Sequence, residues 1–265
     1  MKNPMVIREF GASSVQGERD EMQDVYSMHH LRVDKNGVGA RIHVFDGHGD
    51  YGQYAARIAD SVFSSNLSVP ITDIATVFGK ADRAIENASI DGGATATVVD
   101  INIDLSGERT IATYWAGDSP AYLISPTGDR LQNANSRLSC TPNLHNVENQ
   151  SEINRMKHEG VFVSGDYFGR LAVSRSLGDS NWYRGVITDP DCTDWQSRGP
   201  RLLVVGTDGA LFSETTQEVL DDVLERKKHG ASLQKIAEYI THKYASMTGD
   251  NATVVLADLP SMYEQ

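Results

Sequence analysis

Apolar positions recur along this chain with two periods. Segments rich in Val, Ile, Thr and aromatic residues fall at 41–46, 94–103, 109–116, 120–125, 201–207 and 252–258, and these predict strands. Between them, Tyr51, Tyr54, Ala55, Ile58 and Val62 repeat at helical spacing, and so do Ile74, Val77, Phe78, Ala81 and Ile85. These predict one consecutive helical pair. Near the C-terminus, Val219, Leu220, Val223 and Leu224 form one stripe, and Leu233, Ile236, Ala237, Ile240 and Tyr244 form another. The intervening HGAS offers Gly230 to end the first of these helices and Ser232 to cap the second.

Strands in runs with helical pairs set apart do not fit strict strand–helix alternation. They predict an α+β fold, an α-β-β-α sandwich of two antiparallel sheets flanked by paired helices. Residues 126–150 read as loop, and the buried-looking RLAVSRSLGD at 170–179 reads as a strand followed by a turn. No repeat, low-complexity tract or long linker divides the chain, so residues 1–265 are expected to form one domain.

With 265 residues, 40% hydrophobic and 23% charged, the composition is that of an ordinary folded protein. The first ten residues are charged and lack the apolar core of a signal peptide, and no run approaches a membrane span. The expectation is a cytoplasmic protein acting as a monomer. Cys140 and Cys192 stand far apart with no CxxC partner, which argues against a disulfide framework or a thiolate zinc site. A formal net charge of -12 excludes nucleic acid and anionic membranes as natural partners. An anionic substrate must therefore meet cations.

Five stretches set aspartate beside glycine or a small residue at a predicted strand end or turn: RDEMQD (19–24), FDGHGD (45–50), AGDSP (116–120), GTDGA (206–210) and TGDNAT (248–253). Each alone is an ordinary turn sequence. Together, aspartates and glycine carbonyls supply the oxygen ligands that hard divalent cations such as Mg²⁺ and Mn²⁺ take.

Seven motifs then carry a resemblance: SSVQGERDEMQD, VFDGHGD, GATATVV, YWAGDSPAYLI, RLAVSRSLGD, VVGTDGALF and GDNATVVLADL, in this order from about residue 8 to residue 259. The chain resembles the metal-dependent serine/threonine phosphatases of the protein phosphatase 2C (PP2C, or PPM) family. The resemblance implies that Asp46 bridges two metal ions, Mg²⁺ or Mn²⁺, and that the Gly47 carbonyl is also a ligand. It makes Asp208 and Asp250 ligands too, with Asp24 holding metal-bound water. It gives Arg19 the substrate phosphate, His48 the role of general acid, and a phosphorylated protein as substrate. Asp179 and the small residues at 93–97 are expected to support the site without direct chemistry.

Three positions depart from the family pattern. Gln23 stands where many relatives have glutamate, and Pro120 where an arginine is common. Phe212 replaces an aspartate that in relatives joins the equivalent of Asp118 in holding a third metal, so the third ion is doubtful while Asp118 remains a possible ligand. This motivates an alternative, a binding or regulatory protein with weakened catalysis. A phosphatase of non-protein phosphoesters is also compatible, and 140–169, with SGDYFG, is the candidate flap that would set specificity.

Overall fold

The structure is a computed structural model that describes residues 6–33, 37–104, 108–125, 138–141, 143–196 and 199–260. Two five-stranded sheets dominate. The first runs β1 (Glu9–Val15), β14 (Ala252–Leu259), β13 (Arg201–Gly206), β8 (Ala121–Ile124), β9 (Leu138–Cys140). The second runs β12 (Asp191–Gln196), β7 (Arg109–Ala116), β6 (Ala96–Ile103), β3 (Gly37–Phe45), β2 (Val25–Val33). Every pairing in both sheets is antiparallel.

Alternation along the strands assigns each face to a layer. Ile42 and Val44 of β3, with Val99 and Ile101 of β6, meet Leu203 and Val205 of β13 and Val255 and Ala257 of β14 between the sheets. The opposite face of the first sheet, Val204, Val254 and Leu256, packs under α5 (Thr216–Lys228) and α6 (Leu233–Thr248), through Val219, Val223, Ile236 and Ile240. The outer face of the second sheet, Phe45, Val98 and Ala116, packs under α1 (Gly52–Ser65) and α2 (Ala75–Ala88), through Ala59, Phe63, Phe78 and Ile85. This is the expected α-β-β-α sandwich. β14 is buried along its whole length because both its faces are covered, which explains a mostly apolar run interrupted by Thr253 and Asp258.

Gly230 ends α5 as expected: its φ is +82°, its N–H donates to Lys227 O at 3.0 Å, and the Ala231 N–H donates to Arg226 O at 3.1 Å. The Ser232 hydroxyl accepts from the Lys235 N–H at the start of α6. Among the described residues no helix is long and apolar enough to cross a membrane.

Several expectations need correction. The buried face of α1 is Ala55, Ala56, Ala59 and Phe63, while Tyr51 and Tyr54 are about half exposed, at 48% and 49%. Alanines let the helix lie close to the sheet, and the larger tyrosines turn out to solvent. Residues 171–179 form isolated bridges, Leu171 to Phe168, Arg175 to Ile187 and Leu177 to Ala94, and no regular strand. The predicted loop at 126–150 falls partly outside the described residues (126–137 and 142), and its remainder holds β9 and the start of α3 (Gln150–His158). A short hairpin, β10 (Val163–Ser164) with β11 (Tyr167–Phe168), follows α3.

A buried ion pair crosses β3 and β6. Arg41 donates from Nε to Asp100 Oδ1 at 2.5 Å and from Nη2 to Oδ2 at 2.8 Å, with the two side chains 1% and 3% exposed. Removing one partner strands the other charge in a low-dielectric layer. Asp100→Ala is expected to lower unfolding free energy by about 3–5 kcal/mol in denaturant titration; a loss near zero would show the pair to be energetically idle.

Candidate active site

The sequence-predicted residues converge at one end of the sandwich. Arg19, Asp46, Gly47, His48, Asp118, Asp208 and Asp250 all line one cleft of about 710 Å³, and Asp24 is buried within reach of the charges of Asp208 and Asp250. They arrive from strand ends. Asp46 follows β3, and its N–H donates to Thr95 Oγ1 at 3.2 Å while its carbonyl accepts from the Thr95 N–H at 2.8 Å. Asp118 follows β7, Asp208 opens the short helix α4 (Asp208–Leu211) after β13, and Asp250 precedes β14.

Glycines let these segments touch. A Cβ on Gly47 would lie 2.3 Å from the Gly52 carbonyl oxygen and 2.8 Å from that of Gln23, and a Cβ on Gly209 would lie 2.0 Å from the Asn251 carbonyl oxygen. The backbone here leaves no room for a side chain.

Asparagine 251, which the sequence reading did not single out, ties the Arg19 loop down. Its Nδ2 donates to the carbonyls of Gln16 (2.7 Å) and Glu21 (3.0 Å), and its Oδ1 accepts the Gln23 N–H at 2.7 Å. Thr207 likewise donates its hydroxyl to Asp24 Oδ2 at 2.9 Å. The other oxygen, Asp24 Oδ1, is buried and has no hydrogen-bond partner among the described residues.

The electrostatics follow from crowding acids in a poorly solvated cleft. Burial, then repulsion from Asp208 and Asp250, pushes Asp24 up to about 7. Burial and the neighbouring Asp208 push Asp118 up to about 8. Asp46 is held well above the carboxylate range by burial and by Asp24, Asp208, Asp118 and Asp250, and Asp208 is raised by burial and Asp250. Such groups either keep their protons or require a cation. All offer hard oxygen donors, and together with the orphaned Asp24 Oδ1 they fit Mg²⁺ or Mn²⁺.

Arg19 donates from Nη2 to Asp250 Oδ2 at 2.8 Å, its side chain 61% exposed at the cleft mouth. His48 meets a partner the sequence did not reveal: Nε2 lies 2.6 Å from Asp179 Oδ2, which also accepts the Ser176 hydroxyl at 2.5 Å. Burial alone would lower the imidazole pKa, but the Asp179 carboxylate outweighs it and the net shift is upward. Gly93 makes the pair possible, because a Cβ there would sit 2.2 Å from Asp179 Oδ2 and 2.7 Å from His48 Nε2. The small residues at 93–97 thus serve the site through Gly93, which makes room for the pair, and Thr95, which bonds the Asp46 backbone.

The departures also find their places. Gln23 donates Nε2 to the Gly49 carbonyl at 2.9 Å, bracing the DGHG loop. Pro120 gives up a donor without breaking a ladder bond, since its carbonyl accepts the Gly206 N–H and β8 begins one residue later. Phe212 ends α4 and packs against the apolar cluster of α5 and α6, so it does not line the cleft. The wall opposite the aspartates comes from Tyr167, Arg170–Val173 and Tyr183. Only Tyr167 of these lies in the expected 140–169 flap.

The model of the family described as protein phosphatase 2C matches residues 8–252. The chain belongs to the protein phosphatase 2C family. It is 25% identical over 291 residues to protein phosphatase 2C 6 of Paramecium tetraurelia, covering 94% of this chain and 92% of the relative. It is 26% identical over 248 residues to protein phosphatase 2C 76 of Oryza sativa, covering 76% of this chain but 48% of the relative, so it spans about half of that plant protein. Among solved structures, a phosphatase from Toxoplasma gondii shares the fold at a TM-score of 0.74 with 20% identity, covering 96% of this chain and 94% of that one. The catalytic domain of the serine/threonine phosphatase PstP, solved with 2 manganese ions, shares it at a TM-score of 0.59 with 17% identity, covering 96% and 98%.

In this family member the His48–Asp179 contact has a direct readout. Asp179→Asn removes the charge and leaves the burial, so the His48 pKa is expected to drop below the ordinary histidine value of about 6.5 in an NMR pH titration. An unchanged His48 titration would show that Asp179 does not set its charge.

Proposed function

We propose that the chain is a Mg²⁺- or Mn²⁺-dependent phosphatase that hydrolyses phosphoserine and phosphothreonine in proteins, by attack of a water that bridges two ions. One observation carries this reading above all: Asp46, Asp118, Asp208 and Asp250, from separate parts of the chain, line one cleft with Asp24 buried within reach of their charges, and four of the five are held above their ordinary pKa. PstP, with its 2 manganese ions on the same fold, supports it. Ions bound there would lower the pKa of a shared water and neutralise phosphoryl charge during in-line attack.

Around that chemistry each side chain has a task. Asp46, the Gly47 carbonyl, Asp208 and Asp250 would hold the two ions, and Asp24 would orient water beside them. Arg19 would turn from Asp250 to the substrate phosphate, for which its guanidinium supplies two parallel donors. His48, kept protonated by Asp179, would donate to the leaving alkoxide from Nδ1, since Nε2 is engaged by the carboxylate. Phe212 bears on the third ion alone, and its packing on α5 and α6 leaves this two-ion set intact.

Hydrolysis of a phosphothreonine peptide and of p-nitrophenyl phosphate, titrated with Mn²⁺ and Mg²⁺, tests the proposal. Turnover should require the metal, vanish in excess EDTA, and fall in Asp46→Asn and Asp208→Asn by on the order of 10²–10³ in kcat, the scale of losing one preorganised electrostatic group. Full activity in EDTA, or no turnover with two ions bound, would reject it.

A further inference from the structure

The layer between the second sheet and its helices is apolar except for the Arg41–Asp100 pair and one further polar cluster. β2 and β3 pair so that Ser27 stands opposite His43, with His29 two residues along the same face. Asp60 and Ser64, four apart on α1, come down on them from above. His29 Nε2, His43 Nδ1 and Asp60 Oδ1 lie within 4.8 Å of one another. Ser27 Oγ is 3.1 Å, 3.0 Å and 2.5 Å from these three atoms, and Ser64 Oγ is 3.1 Å from His29 Nε2.

Packing does not explain this choice of residues. His43 is fully buried beside the rings of Phe45 and Phe63, at centroid distances of 5.9 Å and 5.4 Å, and its Nε2 has no hydrogen-bond partner among the described residues. An imidazole left half unsatisfied in an apolar layer costs stability that a third phenyl ring would not. Arg41, whose charge reaches His43, is neutralised by Asp100 and so does not repel a visitor as a free charge would.

The geometry points to a second metal site, formed by His29, His43 and Asp60 with a serine hydroxyl as further oxygen donor, that takes a borderline transition cation such as Zn²⁺. Two imidazoles and one carboxylate suit zinc, whereas the all-oxygen cleft suits Mg²⁺ or Mn²⁺. Ligation needs bare imidazole nitrogen and ionised carboxylate. Burial favours the neutral form of His43, and the Ser27 hydroxyl, donating to Asp60 Oδ1, helps to hold Asp60 ionised against its own burial; on ligation through Nδ1 the ring proton of His43 would sit on Nε2. With metal–ligand bonds of about 2.0–2.2 Å, the three donors would draw together and the Ser27 hydroxyl would turn aside from the point they share or become the fourth ligand.

Such an ion would staple α1 to β2 and β3. Asp60 lies eight residues, or about 12 Å, along α1 from Gly52, which packs directly on Gly47 at the cleft. The cation would brace that helix and take no part in chemistry at the cleft, so the inference does not depend on the phosphatase reading.

The test uses the full chain carrying Asp46→Asn and Asp208→Asn, to disable the cleft, with Zn²⁺ and Co²⁺ as the probes. Competition with a chromophoric chelator should show one Zn²⁺ per chain. Bound Co²⁺ should give the intense visible absorption of a four-coordinate nitrogen–oxygen site, which an octahedral oxygen site does not. Adding His29→Gln, a half-buried position less apt to disturb folding than His43, should weaken binding by roughly 100-fold or more, beyond what loss of an outer partner costs. Asp60→Asn is the independent second variant and should behave alike. Absence of bound Zn²⁺, or unchanged affinity in both variants, would overturn the inference and leave the cluster a hydrogen-bond network centred on Ser27.

Discussion

The constraint on which the rest of this molecule depends is the repulsion among aspartates held at one end of a sandwich. Asp24, Asp46, Asp118, Asp208 and Asp250 belong to segments far apart in the chain, and none would gather with the others for packing reasons. The two sheets force the meeting, because the antiparallel ladders of β3, β7, β13 and β14 deliver their ends to a common rim. Continuous apolar packing on both faces of β14 supplies the rigidity that keeps the acids together. In the proposed chemistry a divalent cation would convert the crowding from a penalty into a binding site.

Polar scaffolding refines the arrangement. Asn251 fastens the loop of Arg19 to the start of β14, Thr207 orients Asp24, and Gly93 gives His48 access to Asp179. None of these touches the reacting atoms in the proposed chemistry, yet each fixes where a reactive group stands. Each also joins segments that the chain order keeps apart.

That distance explains what could be read from sequence and what could not. Asp46, Asp118, Asp208 and Asp250 were legible because each sits beside glycine at the end of a periodic strand, whereas Asp24 rested on the resemblance, and β14 was legible because its run is rich in Val, Leu and Ala. The His48–Asp179 contact spans 131 positions and carries no local pattern. β2 was hidden because Ser27 and His29 put polar groups on its helix-facing side. α3 was hidden for a related reason. Charge pairs share the work of its short apolar face of Ile153 and Met156: Glu152 is buried against Arg155, Arg175 and Ser174, which bring its pKa down to about 2 although burial alone would raise it. The tyrosines of α1 misled because spacing reports a face without saying whether alanine or tyrosine will be turned inward.

The claim that the aspartate cleft trades protons for cations is tested most directly by calorimetric titration of Mn²⁺ near pH 7, repeated in buffers of different ionisation enthalpy. With Asp24 at about 7, Asp118 at about 8, and Asp46 and Asp208 also raised, the metal-free cleft retains protons at this pH that ligation must expel. The observed heat should therefore vary with the buffer in the sense of net proton release, and Asp46→Asn should reduce that release. Binding with no buffer dependence, or no binding at all, would contradict the account.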